Sequence, residues 1–165
     1  MAARTLEVVA EPESPTIVIT RDFDAPRRLV FEAWTRPEHV KHWWGLRDHT
    51  LTICEIDLRV GGRYRYAMVT PKGFEVAFHG EYLEVVPNER LVTTETYEGV
   101  PEGVSEADAT TVNTATLVER DGRTTLTLLI EAPNQVSRDA IVDSGMEDGL
   151  QDALDLLEQV ALSLA

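Results

Sequence analysis

One cysteine, Cys54, stands in 165 residues, so the chain has neither an internal disulfide nor a thiol pair for a metal. It falls in a strand-like run, where a lone cysteine acts as a small apolar residue and suits a reducing compartment. Long hydrophobic runs are also missing. No stretch approaches membrane-spanning length, and no apolar run near the start resembles a signal peptide, which predicts a cytoplasmic protein. Positive charge is scarce, with 15 Lys and Arg against 29 Asp and Glu, a formal charge of −14. Such a surface repels phosphate backbones and anionic bilayers, so neither nucleic acid nor membrane is expected as a partner. Nucleophile-elbow, phosphate-loop and zinc-protease motifs are lacking. His39 and His42 lie three apart but have no third ligand at a suitable spacing, so no metal site and no cofactor are expected.

What is present is one domain's worth of patterned chain. An apolar content of 43% suffices for a single core. Residues 1–15, ending in Glu11-Pro12-Glu13-Ser14-Pro15, read as a mobile leader before a domain spanning 16–165. Seven strand-like runs follow, at about 16–23, 49–57, 62–70, 73–86, 90–97, 111–119 and 123–131. Between the first two, Asp24-Ala25-Pro26 starts a helix running to about Trp34, and a second short helix begins near Pro37. Turn chemistry at Gly61-Gly62, Pro71-Lys72-Gly73, Pro87-Asn88-Glu89 and Asp121-Gly122 joins successive strands, which implies an antiparallel meander. Glu98 to Thr110 is a long loop, read as a lid or a disordered excursion.

The segment from Ser137 to Ala165 places Leu150, Ala153, Leu154, Leu157, Val160, Ala161 and Leu164 on one helical stripe. Gly145 and Gly149 read as interior glycines of that helix, each costing about 1 kcal/mol relative to alanine and removing side-chain volume. The expected fold is therefore α+β: a curved seven-stranded antiparallel sheet around a long C-terminal helix, with a hollow beside the glycines.

Alternation places Tyr64, Tyr66 and Met68 on one face of their strand, with Arg63 and Arg65 on the other. Phe74, Val76, Phe78, Gly80 and Tyr82 share a face of the next strand. Turned inward, these rings either line a pocket for a flat or oily molecule or fill an ordinary core. Trp43 and Trp44 are adjacent and cannot face the same way, so one is expected inside and one at the rim. His79 alternates with Phe78 and should point away from the rings, and Asp57 and Arg59 read as a structural pair beside the Gly61-Gly62 turn.

Several segments together resemble the activator-of-heat-shock-protein-90-ATPase homologue family within the START-like (SRPBCC) superfamily. They are Ile19-Thr20-Arg21, Phe23-Asp24-Ala25-Pro26, Val30-Phe31-Glu32-Ala33-Trp34, Trp43-Trp44-Gly45, Asp57-Leu58-Arg59-Val60-Gly61-Gly62-Arg63-Tyr64, Gly80-Glu81-Tyr82, Pro87-Asn88-Glu89-Arg90-Leu91 and Ser144-Gly145-Met146-Glu147-Asp148-Gly149. The resemblance implies a helix-grip fold with a deep cavity between sheet and C-terminal helix. It also implies a menu of functions. First comes binding of an apolar or aromatic small molecule, lined by Phe31, Trp43, Trp44, Tyr64, Tyr66, Met68, Phe78, Tyr82, Met146 and Gly149. Second is metal-free cyclase or aromatase chemistry in the same cavity, with Tyr66 or Tyr82 as proton donor. Third is regulation of a chaperone ATPase by protein contact. A homodimer is compatible with all three.

Overall fold

A computed structural model describes residues 6–44, 50–100 and 102–165. Its frame is one eight-stranded antiparallel sheet in the order β1-β2-β8-β7-β6-β5-β4-β3. The strands are β1 (Glu7–Val9), β2 (Thr16–Phe23), β3 (Thr50–Ile56), β4 (Arg63–Val69), β5 (Glu75–Val86), β6 (Arg90–Tyr97), β7 (Thr110–Arg120) and β8 (Arg123–Glu131). Two short helices, α1 (Arg27–Thr35) and α2 (Pro37–Val40), connect β2 to β3. Two more, α3 (Gln135–Asp143) and α4 (Met146–Ser163), follow β8. This is the expected helix-grip arrangement, with eight strands in place of seven.

The additional strand is β1, inside the stretch read as a leader. It pairs with β2 from Glu7 opposite Thr20 to Val9 opposite Val18, and Leu6 is buried beside it. Three residues are too few for an alternation pattern to register in the sequence. The buried Arg138 of α3 adds a tie, donating from Nη1 to the Glu11 carbonyl at 2.8 Å.

Strand β2 alternates as its β-branched composition requires, burying Ile17, Ile19, Arg21 and Phe23. Register carries the same face across Leu126, Leu128 and Ile130 of β8, then Ala115 and Leu117 of β7, then Leu91 of β6. Helix α1 lays Leu29, Val30 and Ala33 into this core. Its N-cap position is Pro26 rather than Asp24. The first helical amide, on Arg27, is instead satisfied by Glu119 Oε1 of β7 at 2.8 Å. Pro37, lacking an N–H, stops α1 and opens α2.

The C-terminal segment is two helices, not one. Gly145 adopts a left-handed φ of 82° between α3 and α4, a conformation that ends a helix and that favours glycine. A Cβ there would meet nothing within 4 Å, so Gly145 serves the backbone and does not hollow out the interior. Helix α4 buries Ala153, Leu154, Leu157 and Ala161, the stripe read from the sequence.

Buried ion pairs fasten α4 to the sheet. The Arg21 guanidinium, 2% exposed, reaches Asp155 at 2.6 Å and Glu158 at 3.3 Å and stacks on the Phe23 ring at 5.1 Å. Glu158 Oε2 also accepts from the Asp24 amide at 2.8 Å. The long connection between β6 and β7 carries a turn of 3-10 helix at Ala107–Ala109. Asp108 there meets Asn134 Nδ2 at 3.3 Å, and its carbonyl accepts from Ser137.

Candidate functional site

The inner face changes character from β2 to β4. On the β2–β8–β7 side it is mainly aliphatic apart from Arg21, Phe23, Thr111 and Asn113, whereas on β4 and β5 it is aromatic and on β6 mixed. Tyr64 and Tyr66 stack at 5.0 Å, and Tyr64 meets Tyr82 at 5.5 Å. Trp44, arriving from the turn after α2, packs on Tyr66 at 5.1 Å and edge-on to Phe78 at 5.6 Å. Phe78 in turn meets Tyr97 of β6 at 5.2 Å. The rings thus form one continuous wall.

Glycine makes this wall possible. A Cβ on Gly80 would overlap the Thr94 carbonyl and sit 2.6 Å from the Tyr64 ring, so only glycine lets Tyr64 lie across β5. The Tyr64 hydroxyl then donates to the Thr94 carbonyl at 2.6 Å. A bulge between Tyr82 and Glu84 turns Leu83 outward and returns Val85, opposite Leu91, to the inner face.

Of the residues expected to line the site, Trp44, Tyr64, Tyr66, Phe78 and Tyr82 come together in the wall. Met68 lies farther along β4, opposite Leu51 and Val76. Met146 and Gly149 fall in the first turns of α4, both half-buried. Phe31 sits elsewhere, beside Trp34, Leu91, Ala115 and Leu117 around a void of about 10 Å³. Trp43 also turns away, stacking on Trp34 at 5.6 Å and donating its indole N–H to the Ala33 carbonyl at 2.7 Å. Phe74 does not share the face at all: it is 67% exposed in the turn closing β4 onto β5, where the Thr70 amide bonds its carbonyl.

Sequence reasoning passed over the most polar member of this face. Leu91, Thr93, Glu95 and Tyr97 alternate along β6, and register sets Thr93 opposite Tyr82 and Glu95 opposite Thr111. Burial alone pushes the Glu95 carboxyl up to about 7. Its hydrogen-bond partner is Asn113 Nδ2 at 3.5 Å, and Thr111 donates to Asn113 Oδ1 at 2.9 Å, which orients the amide. Alternation alone carried no signal, because a carboxylate in a threonine-rich strand reads as an outward residue.

The phenols behave oppositely. Burial foremost, then the neighbouring Glu95 charge, pushes Tyr64 far above the usual phenol range. Burial likewise raises Tyr66, and it pushes Tyr82 up to about 12 despite the hydrogen bond that Tyr66 makes to it. These hydroxyls hold their protons tightly, so Glu95, rather than Tyr66 or Tyr82, is the group able to exchange a proton near neutrality. Cys54, opposite Tyr66, is pushed up to about 11 chiefly by burial and is no reactive thiolate.

The outer face holds a separate cluster. His79 meets Glu98 at 3.0 Å and Glu106 at 3.6 Å, and Glu98 also takes Arg65 at 2.8 Å, a hydrogen bond that draws the Glu98 carboxyl down to about 2. A shallow groove of about 600 Å³ lies on this outer side, around Glu106, Val112, Glu131 and Pro133. It is remote from the aromatic wall. Asp57 and Arg59 pair at 2.9 Å as expected. His49 and Gly45 lie outside the described residues. Among the described residues, no group of three His, Cys, Asp or Glu side chains is arranged to hold a metal, and no helix is long and apolar enough to cross a membrane.

The family model described as activator of Hsp90 ATPase homolog 1-like protein matches residues 24–161. The chain belongs to this family. Solved structures with the same fold include protein Ms6760 from Mycobacterium smegmatis, 24% identical with a TM-score of 0.82 over 95% of this chain and 96% of that one. A Rhodobacter sphaeroides protein is 24% identical, with a TM-score of 0.83 over 98% and 99%. One from Arthrobacter aurescens is 22% identical, with a TM-score of 0.81 over 95% and 91%. At these identities the likeness establishes the helix-grip fold and no activity. No curated protein matches the chain.

Proposed function

We propose that this family member binds an apolar or aromatic small molecule between its aromatic wall and α4. The observation that carries the reading is the half-buried cluster of Thr93, Glu95 and Asn113 on the inward face beside the rings. The Glu95 carboxyl lies deep enough for burial to raise it to about 7, yet all three residues keep partial accessibility. Deep side chains that retain accessible surface are what a hollow produces; solid packing would close over them. Half-buried Trp44, Phe78, Met146 and Gly149 fit the same picture. Binding would be driven by burial of ligand surface, worth about 25 cal/mol per Å² before association costs.

Titration with the neutral fluorophore N-phenyl-1-naphthylamine tests this. Saturable one-site binding is expected, and Gly149→Leu should weaken it by filling the space above α4. Absence of saturable binding, or unchanged affinity in the variant, contradicts the placement.

A catalytic reading has one specific observation in its favour, namely that Glu95 is an acid suited to proton transfer near neutrality. The third reading, chaperone regulation, rests on the family description alone. A pull-down with the chaperone followed by an ATPase assay separates it from ligand binding.

A further inference from the structure

Glu95 has no counter-charge among the described residues. Its one hydrogen bond, to Asn113 Nδ2, is long at 3.5 Å, and among the described residues no Lys, Arg or His side chain pairs with it. Around it stand rings. Phe78 and Tyr97 pair directly across β5 and β6, Tyr64 lies over the adjoining Gly80, and Trp44 closes the wall from the α2 side. Ring faces are electron-rich and attract cations, and a desolvated carboxylate attracts them more strongly. Floor and wall therefore ask for the same thing, a positive charge carried on a flat apolar body.

We propose that the site takes an arylalkyl amine, with Glu95 receiving the ammonium while the ring system rests among Trp44, Phe78 and Tyr97. The inference depends on the inner face being the ligand site and adds the ligand's chemical class. The amine supplies the positive charge that Glu95 does not find among the described residues, and Asn113, oriented by Thr111, donates to one carboxylate oxygen.

The phenols and the thiol on this face are quiet around neutrality. Tyr64 and Tyr66 of β4, Tyr82 of β5 and Cys54 of β3 are all raised by burial and stay neutral. Arg21 of β2 is occupied by Asp155 and Glu158 of α4. The pH dependence of amine binding should accordingly follow Glu95. Between about pH 6 and pH 8 the carboxyl loses its proton while an alkylammonium keeps its own, so amine affinity should climb and the affinity of a neutral analogue should not.

The test compares 1-naphthylmethylamine with its near-isostere 1-naphthalenemethanol, by calorimetric titration of the full chain. At about pH 8 the amine is expected to bind about tenfold or more tightly than the alcohol. In Glu95→Gln that preference should vanish, with alcohol affinity retained. The wild-type pH profile offers an independent readout should the variant fold poorly. Equal binding of amine and alcohol by the wild type, or an amine affinity flat with pH, would overturn the amine assignment while leaving a ligand site in place. Binding of neither probe would remove the site itself.

Discussion

Replacing Glu95 with glutamine should make the protein more stable, and increasingly so as pH rises. The side chain keeps its size and its reach to Asn113, but the burden of a buried charge disappears. The sign follows from linkage. Burial raises the folded-state carboxyl from its ordinary 4.5 to about 7, so the folded state holds this proton where the unfolded chain has released it. Stability contributed by protonated Glu95 is therefore complete below about pH 4.5, falls as pH climbs toward 7, and is gone above. That interval, at about 1.4 kcal/mol per pH unit, amounts to roughly 3 kcal/mol. Urea unfolding of wild type and Glu95→Gln at matched pH isolates it, because every other titrating group contributes equally to both. The difference should be near zero at about pH 4 and grow to roughly 2–3 kcal/mol in favour of the variant at about pH 8. A difference that stays within about 0.5 kcal/mol across the range would mean that the carboxyl is well solvated and that the inner face near it opens to bulk water.

Two further substitutions probe how the helices are held. Arg21→Ala strands Asp155 and Glu158 without their cation and should cost about 3–5 kcal/mol in chemical denaturation, whereas a loss below about 1 kcal/mol would show the cluster to be solvated. Gly145→Ala meets no atom yet must adopt the left-handed φ of 82°, so it should cost about 1–2 kcal/mol through strain alone; no loss of stability would place the helix break elsewhere.

The frame was legible because local signals agreed. Turn residues at Gly61-Gly62, Asn88 and Asp121-Gly122 sit where the chain reverses, with Asn88 and Asp121 in the left-handed region, and the strands between them run within a residue or two of their expected ends. Alternation also placed Tyr64, Tyr66, Phe78 and Tyr82 on one face. It failed where the period broke. Phe74 continues the pattern of β5 in sequence but belongs to the preceding turn, and Gly145 reads as a weak helical residue although its backbone leaves the helix altogether.

The buried charges were illegible for a different reason. Arg21 faces inward with Ile17, Ile19 and Phe23, and Glu95 with Leu91, Thr93 and Tyr97, but a charged residue in a β-branched run looks like one of the outward set. Only the partners separate the cases. Arg21 finds Asp155 and Glu158 more than a hundred residues away, and Glu95 finds Asn113 on the neighbouring strand. Long-range pairing of this kind leaves no trace in local periodicity.

Native mass spectrometry of freshly purified protein reaches furthest into the whole account. A guest in the space above Glu95 should travel with the polypeptide as a noncovalent adduct of small-molecule mass, released when organic solvent unfolds the chain. A spectrum showing the unliganded mass alone, together with no uptake of either naphthyl compound, would contradict it.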